Sequence, residues 1–159
     1  MAVLPILTGE KIPILRRKSQ HVKGVTKEIT KLIADMEDTL IHAEGLGLAA
    51  PQVGSPLSLC LARIGNRTIA LINAEITWQS HETDAMEEGC LSLPGILVTV
   101  SRPTSIIVQY TDTKGKMQER SLSDLDARVV QHEIDHLNGI LIIDYMLPHS
   151  GKNQTVMKI

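Results

Sequence analysis

Two histidines four residues apart, in the segment His132-Glu133-Ile134-Asp135-His136, are the clearest chemical signal in the sequence. On an α-helix, residues i and i+4 point in the same direction, so both imidazoles can bind one metal ion. Glu133 projects about 100° further round such a helix, beside the ion and not onto it. That position suits a general base that acts on water at a metal. The segment therefore predicts a metal-dependent hydrolase.

The alternative is a surface helix that carries two solvated histidines. Leu125, Val129 and Leu137 recur with helical period and place this face toward the core. Buried histidines need polar partners, and a shared metal ion provides one. We therefore favour a metal site on a buried helix. A catalytic site of this kind also needs a third protein ligand and an open position.

The third ligand decides which class of metal enzyme the chain belongs to. The extended peptidase pattern His-Glu-x-x-His-x-x-Gly-x-x-His is matched through Gly139, but Ile142 holds the final histidine position. No glutamate follows Glu133, which excludes peptidases that use a downstream glutamate. Asp144 and His149 are the remaining downstream candidates, and a zinc peptidase that uses one of them is one hypothesis.

Cys90 is the upstream candidate for the third ligand. A thiolate binds zinc or ferrous iron strongly, and the flanking Gly89 and Pro94 indicate a fixed, non-regular backbone instead of a core strand. Cys60, within an apolar run, is typical of a small core residue. Packing and ligation explain Cys90 equally well in isolation. Beside a two-histidine site with no other good third ligand, ligation is the better explanation.

The elements that must position these residues are two helices and several strands. Apolar residues at spacings of three and four predict an amphipathic helix over 26–43, and a second helix runs from near Ser123 to Gly139. The segments predicted to be extended are 3–7, 13–16, 57–63, 67–72, 97–100 and 105–111. Neighbouring strands favour antiparallel pairing. The predicted fold class is α+β, a mostly antiparallel β-sheet wrapped around a central metal-ligand helix, with an N-terminal amphipathic helix.

Composition limits the function classes. The 159 residues predict one catalytic domain over 1–147 and a polar C-terminal tail over 148–159 that we expect to fray. The net charge of −2 gives no basic field for nucleic acid, and no apolar run approaches the ~20 residues that span a bilayer. The N-terminal charges follow the apolar stretch, which is the wrong order for a secretory signal. We expect a cytoplasmic protein that binds neither DNA nor membranes.

Three segments together resemble the peptide deformylase family. In family order they are Gly45-x-Gly47-x-Ala49-Ala50-Pro51-Gln52, Glu88-Gly89-Cys90-Leu91-Ser92 and Gln131-His132-Glu133-Ile134-Asp135-His136-Leu137. Further similarity in Leu4-Pro5-Ile6-Leu7 and Val100-Ser101-Arg102-Pro103 extends the resemblance to roughly residues 3–145. The His-Glu-x-x-His motif alone often occurs by chance, whereas its coincidence with the other two segments is specific.

The resemblance implies a hydrolase that removes the N-formyl group from N-formylmethionine of newly synthesised polypeptides and releases formate. It implies one divalent metal ion, Fe²⁺ in the cell and often Zn²⁺, Ni²⁺ or Co²⁺ after purification. The implied metal ligands are Cys90, His132 and His136. Glu133 would act as general base and then as general acid, and Arg102 would pair with Glu88 to steady the cysteine segment.

The resemblance also implies substrate contacts. The Gln52 side chain and the Leu91 backbone N–H would receive the developing oxyanion. Gly45 and the segment after it, which includes Gly47, would pair with the main chain of the peptide as an added strand. By residue type alone, a loop amide that caps a nearby turn explains Gln52 better.

A pocket for the methionine side chain should be apolar and lie beside the ligand helix. Leu125 and Val129 lie on the face of that helix before His132. Met86 and Leu93 flank the cysteine segment. Core packing explains each of these four residues equally well when it is considered alone.

N-formylmethionyl peptides are the expected partners, and the ribosome is a further candidate for which the modest charge gives no clear patch. Departures from the family pattern bear on pocket shape: Gly95-Ile96-Leu97-Val98 is more apolar, Ile142 replaces an aromatic, and Asp124 stands where glycine is common.

A non-enzymatic domain stabilised by a metal is the remaining hypothesis. Retention of Glu133 and Gln52 argues against it, because a structural site needs neither.

Overall fold

The computed structural model describes residues 2–146 and 157–159. The elements are α1 (Lys27–Ala43), α2 (Asp124–Leu137), β1 (Gly47–Ala49), β2 (Leu59–Ile64), β3 (Arg67–Gln79), β4 (Thr83–Cys90), β5 (Leu93–Pro103), β6 (Ser105–Thr111), β7 (Met117–Ser123) and β8 (Met157–Lys158). One antiparallel sheet has the order β1-β2-β3-β6-β7, and a smaller sheet has the order β5-β4-β8. Because α2 contacts strands of both sheets, the predicted α+β fold around the ligand helix is confirmed.

Helix α1 begins after Thr26, whose side-chain oxygen accepts a hydrogen bond from the Ile29 N–H at 3.3 Å. This bond satisfies one of the free amides at the helix start. Glu44, in the left-handed region with φ 54°, ends the helix. The apolar face packs on β2 and β3 in a cluster that includes Met36 and Leu40, so α1 covers the outer side of the larger sheet.

The larger sheet contains three of the predicted strands and two that were not predicted, β1 and β7. Strands β2, β3 and β6 overlap the predicted segments, but β3 continues to Gln79 after a register shift beyond Ile72. Asn73 adopts φ 53° at this irregularity, and its Oδ1 accepts a hydrogen bond from the Val22 N–H at 2.8 Å. The sequence did not predict strand β7, because most of its side chains are exposed and polar.

The β4–β5 hairpin brings Cys90 to the centre of the molecule. Polar residues dominate β4, and hence the sequence did not predict it. Cys90 is the last residue of β4 and not part of an irregular loop, although the register shifts between Gly89 and Cys90. The predicted strand at 97–100 is the middle of the longer β5. The prediction for 13–16 was wrong, because Pro13–Arg16 forms a 3₁₀ helix.

Helix α2 is central: 10 of its residues are buried, including both histidines of the motif. Ser123 lies at its N-cap but makes no capping hydrogen bond through its side chain. Asp124 instead has φ 54° and donates its N–H to the Thr104 carbonyl at 2.8 Å. A left-handed residue at this position explains why glycine suits it. After the helix, Gly139 has φ 74°, and an added Cβ would lie 2.6 Å from the Arg16 carbonyl oxygen.

The end of the chain differs from the expected frayed tail. Residues 148–156 lie outside the described residues, but Met157 and Lys158 form β8, which pairs in parallel with Glu88 and Gly89 of β4. Ile159 is 1% exposed. Among the described residues, none of the helices has the length and apolar character needed to cross a membrane.

Candidate metal centre and active site

The cysteine and both histidines of the motifs converge at one buried point. The potential ligand atoms of Cys90, His132 and His136 all lie within 4.8 Å of one another. The Cys90 Sγ is 3.4 Å from the His136 Nε2, and the two imidazole rings are 5.0 Å apart between centroids. The three residues are at most 5% exposed. This arrangement brings the three predicted metal ligands together.

The donor atoms fit a divalent metal. The His132 Nε2 is buried and has no hydrogen-bond partner among the described residues. Burial raises the pKa of the Cys90 thiol to about 12, although amide hydrogen bonds from Ser92 and Leu93 oppose the rise. A metal cation offsets this cost, since a coordinated thiol is deprotonated. One sulfur and two imidazole nitrogens form a set that suits zinc or ferrous iron.

Glu88 orients His132. Its Oε1 lies 2.9 Å from the His132 Nδ1, which leaves the Nε2 of that ring to face the other two ligands. Burial alone would raise the pKa of Glu88, but the hydrogen bonds from His132 and Arg102 prevail and lower it to about 2. Glu88 is therefore ionised and lies within hydrogen-bond distance of the His132 Nδ1, a contact that typically fixes the tautomer of a ligand histidine.

Glu88 belongs to a larger buried network that the sequence revealed only in part. The predicted pair is present, since the Arg102 Nε and Nη2 donate to Glu88 at 2.7 and 2.9 Å. Arg102 also donates to Asp135 at 2.9 Å, and the Tyr145 hydroxyl donates to the same carboxylate at 2.7 Å. Arg128 donates to Glu88 at 2.6 Å. Its place four residues before His132 was the one sequence signal for this contact.

Glu133 lies beside the ligand group and is fully buried. Neither of its carboxylate oxygens has a hydrogen-bond partner among the described residues. Burial raises the pKa of Glu133 well above its ordinary value, and the nearby charge of Glu88 adds to the rise. Gly47 of β1 packs directly against it, since a Cβ added there would lie 2.4 Å from the Glu133 Oε1. The glycine therefore leaves room for this carboxylate.

The Gln52 side chain makes a turn contact with one end of its amide and faces the ligand group with the other. Its Oε1 accepts a hydrogen bond from the Ala49 N–H at 2.9 Å, which is the turn-capping contact expected from residue type. Its Nε2 donates to the Ser92 Oγ at 3.0 Å and lies 3.8 Å from the Cys90 Sγ. The capping bond thus aims the amide N–H₂ at the ligand group. Gln52 is 1% exposed.

The other predicted substrate residues differ in their burial and do not form one cluster. Leu91 is half-buried and follows Cys90, and a Cβ added at Gly45 would lie 2.9 Å from its Cδ1. Met86 is half-buried in β4, whereas Leu125 at the start of α2 is 37% exposed. The structure places Leu93 and Val129 in two different apolar clusters. Leu93 packs in the cluster that contains Cys90 and Ile142.

The downstream ligand hypothesis fails for Asp144. Its side chain is 40% exposed and forms an ion pair with Arg16 at 2.7 Å. It is not part of the group of potential ligand atoms around His132. His149 lies outside the described residues.

Sequence comparison agrees with this geometry. The family model for polypeptide deformylase matches residues 3–152. A peptide deformylase from Thermotoga maritima is 44% identical over 136 residues, which cover 86% of this chain and 83% of that protein. A peptide deformylase from Chlorobaculum parvum is 44% identical over 151 residues, which cover 91% of this chain and 80% of that protein.

Solved structures have the same fold over most of this chain. The crystal structure of the Thermotoga maritima peptide deformylase matches with a TM-score of 0.89 and 41% identity, covering 93% of this chain and 100% of that one. The peptide deformylase from Synechococcus elongatus in complex with actinonin matches with a TM-score of 0.87 and 35% identity, covering 92% of this chain and 80% of that one. On the strength of the motifs, the buried ligand group and these matches, the chain belongs to the polypeptide deformylase family.

Proposed function

We propose that this protein hydrolyses the formamide of N-formylmethionyl peptides and releases formate and a free amino terminus. The observation that carries the proposal is the position of Glu133, a buried carboxylate without a partner among the described residues, beside the converging Cys90, His132 and His136. A structural metal site would not need such a carboxylate. Residues 1–147 form the catalytic domain.

Cys90, His132 and His136 hold one divalent metal. When bound, the metal polarises the formyl oxygen and makes water a stronger acid, with a pKa near 7 in known zinc sites. We propose Fe²⁺ as the resident ion, with Zn²⁺, Ni²⁺ or Co²⁺ as replacements after purification. The thiolate supports this choice, because it donates more charge to the ion than a third imidazole would.

Glu133 moves the proton. It takes a proton from the attacking water as the water oxygen forms its bond to the formyl carbon. It then delivers that proton to the formamide nitrogen as the C–N bond breaks, which leaves the free amine and formic acid, and the acid releases its own proton to solvent to give formate. Burial raises the pKa of Glu133 above that of an ordinary carboxyl group, which makes its carboxylate a stronger base.

Gln52 and Leu91 stabilise the charge that develops on the formyl oxygen. The Gln52 Nε2 is held toward the ligand group by the contact of its Oε1 with the Ala49 N–H. The Leu91 N–H follows the ligand Cys90 directly in the chain. Donors that are fixed before the reaction stabilise such a charge without reorganisation.

The peptide binds as an extended strand. Strand β1 is at the edge of the larger sheet, and an edge strand can pair with an added peptide. Gly45 and Gly47 lie at this edge and next to Leu91 and Glu133, respectively. We therefore assign the main-chain contacts of the substrate to Gly45 and the residues that follow it.

The methionine side chain lies against α2. On the helix, Leu125, Val129 and the two histidines fall within a sector of about 60°. Leu125 is half-exposed at the outer end of this stripe, and Val129 is buried further in. Met86 and Leu93 complete the pocket from the hairpin side.

We propose that the substrates are nascent formylated chains that leave the ribosome in the cytoplasm.

The direct test is formate release from formyl-Met-Ala by anaerobically prepared protein, with Glu133→Ala as the matched control. The wild-type protein should turn over. Glu133→Ala should keep its metal and lose about 10²–10⁴ in rate, which is the usual contribution of a general acid–base. Metal-loaded wild-type protein that releases no formate would show instead that the metal has a structural role.

A further inference from the structure

Arg128 joins the ligand helix to both strands of the cysteine hairpin. It lies on α2 one turn before His132 and is 4% exposed. Its Nη1 donates to the Glu88 Oε2 at 2.6 Å and to the Val100 carbonyl at 3.0 Å. Its Nη2 donates to the Asp84 carbonyl at 2.8 Å. The guanidinium therefore contacts β4 and β5 at the same time as it contacts Glu88.

Arg128 completes the set of donors on the Glu88 carboxylate. The Glu88 Oε1 accepts from His132 and from Arg102, each at 2.9 Å. The Glu88 Oε2 accepts from Arg102 at 2.7 Å and from Arg128 at 2.6 Å. Arg102 also donates to Asp135, which therefore shares this guanidinium with Glu88. Without Arg128, the Glu88 Oε2 would keep a hydrogen bond from Arg102 alone. The carboxylate would then be free to rotate toward Arg102 and away from His132.

We propose that Arg128 is a positioning residue for the metal group, which fixes Glu88 so that His132 presents its Nε2 toward Cys90 and His136. A partner that orients a ligand histidine typically changes metal affinity about 10–100-fold when it is lost. The proposal depends on the metal group and not on the deformylation reaction. Its test therefore measures the metal and not turnover.

The experiment compares Arg128→Met and Arg128→Lys in protein loaded with Co²⁺. We expect Arg128→Met to release Co²⁺ to a chelator about 10–100-fold faster than wild type and to shift the visible absorption of the bound ion. Arg128→Lys keeps the positive charge near Glu88 and should restore much of both properties. Arg120→Met is the matched control, because Arg120 donates to the Tyr110 hydroxyl at 2.8 Å and is not among the donors on Glu88.

A structural role alone gives a different result. It predicts that Arg128→Met and Arg128→Lys both lower the unfolding temperature of the metal-free protein while the Co²⁺ absorption stays that of wild type. That outcome would overturn the proposal, as would Co²⁺ release within about twofold of wild type. If Arg128→Met does not fold, the Co²⁺ spectrum and release rate of Arg128→Lys still decide between the two roles.

A separate observation concerns strand β8, which occupies the edge of β4 next to the metal group. Met157 and Lys158 pair with Glu88 and Gly89, the two residues that precede Cys90. The Ile159 N–H donates to the Gly89 carbonyl at 3.3 Å. The Ile159 side chain is buried in the apolar cluster that contains Ala49 and Val129. The segment 157–159 thus lies as an extended peptide beside the site.

We infer that the segment 157–159 competes with the peptide substrate, because it lies along β4 while Ile159 packs in the apolar cluster that contains Ala49 of β1, the strand assigned to the substrate. The inference rests on the proposed function. A strand of two residues forms few hydrogen bonds and opens readily, so substrate can displace it. The segment raises the apparent dissociation constant for substrate. The apparent constant is the intrinsic constant divided by the fraction of molecules in which the segment is undocked.

The test is a variant that lacks residues 157–159, together with Ile159→Asp. Both should lower KM for formyl-Met-Ala by about 3–10-fold and leave kcat unchanged, since only the competition is removed. Hydrogen exchange at the amides of 85–91 should become faster. Ile41→Asp is the matched control, because Ile41 is 74% exposed on α1.

An unchanged KM with faster exchange would show that the segment docks without competing, and unchanged exchange would show that it does not dock. Either result overturns the inference. Failure of the proposed function is distinguishable, because neither the wild-type protein nor the shortened variant would then release formate.

Discussion

Replacing Gly47 by alanine tests the placement of Glu133 without touching the carboxylate itself. The added Cβ would lie 2.4 Å from the Glu133 Oε1 and 2.8 Å from its Cγ and Cδ. Ordinary contact begins at 3.4 Å, so the carboxylate must move by about 1 Å. A misplacement of about 1 Å can cost 10²-fold in rate, which corresponds to about 2.7 kcal/mol in the activation barrier.

The loss should appear in kcat and not in folding or metal content. Gly47 does not have a positive φ, so its backbone accepts alanine. Glu133 has no hydrogen bond to a described residue that its movement would break. It is also not one of the three grouped ligands, which are Cys90, His132 and His136. The carboxylate therefore moves while the metal group stays in place.

The assay measures formate release, metal content and unfolding temperature for Gly47→Ala and for Gly24→Ala. Gly24 is the matched control, because a Cβ added there meets nothing within 4 Å. We expect Gly24→Ala to behave as wild type. A Gly47→Ala protein that keeps its metal and turns over within about threefold of wild type would refute the assigned role of Glu133, because a displaced general base cannot act at full rate.

Three further predictions follow from the site. Gln52→Leu should lose about 10²–10³ in kcat with metal retained, measured by formate release. Cys90→Ala should lose the metal, measured by metal analysis, and retained metal would restore the hypothesis of a downstream ligand. Glu88→Gln should flatten the acid stability profile of the metal-free protein. The pKa of Glu88 is lowered from 4.5 to about 2, so its stabilisation of about 3 kcal/mol is present above pH 4.5 and is lost toward pH 2. Urea unfolding at pH 5 and pH 3 measures how far the free energy of unfolding falls with pH. An equal fall for the wild-type protein and Glu88→Gln would contradict the prediction.

The metal helix could be predicted because its information is local. The spacing of His132 and His136 and the apolar period of Val129 and Leu137 all refer to one helix face. Strands β4 and β7 could not be predicted in the same way. Their side chains are largely polar and exposed, and each strand is held by hairpin pairing with an adjacent, more apolar strand, β5 for β4 and β6 for β7.

The contacts that complete the site are long-range. Cys90 lies 46 positions before His136, and only the absence of another ligand and the family resemblance pointed to it. Arg128 and Tyr145 are common residue types in common surroundings, and their bonds to Glu88 and Asp135 depend on how the hairpin folds over α2. Apart from the position of Arg128 four residues before His132, spacing along the chain contains no information on such contacts.

The site is also the place where the chain violates the rules that stabilise its fold. The His132 Nε2 and both oxygens of Glu133 are buried without a partner among the described residues, and the Cys90 thiol is buried at the cost of a raised pKa. Each such group is destabilising by about 1–3 kcal/mol or more. An apolar residue of similar size in place of Glu133, whose two oxygens have no partner among the described residues, would make the protein more stable. The presence of these groups within a few ångströms of one another is explained by chemistry and not by folding.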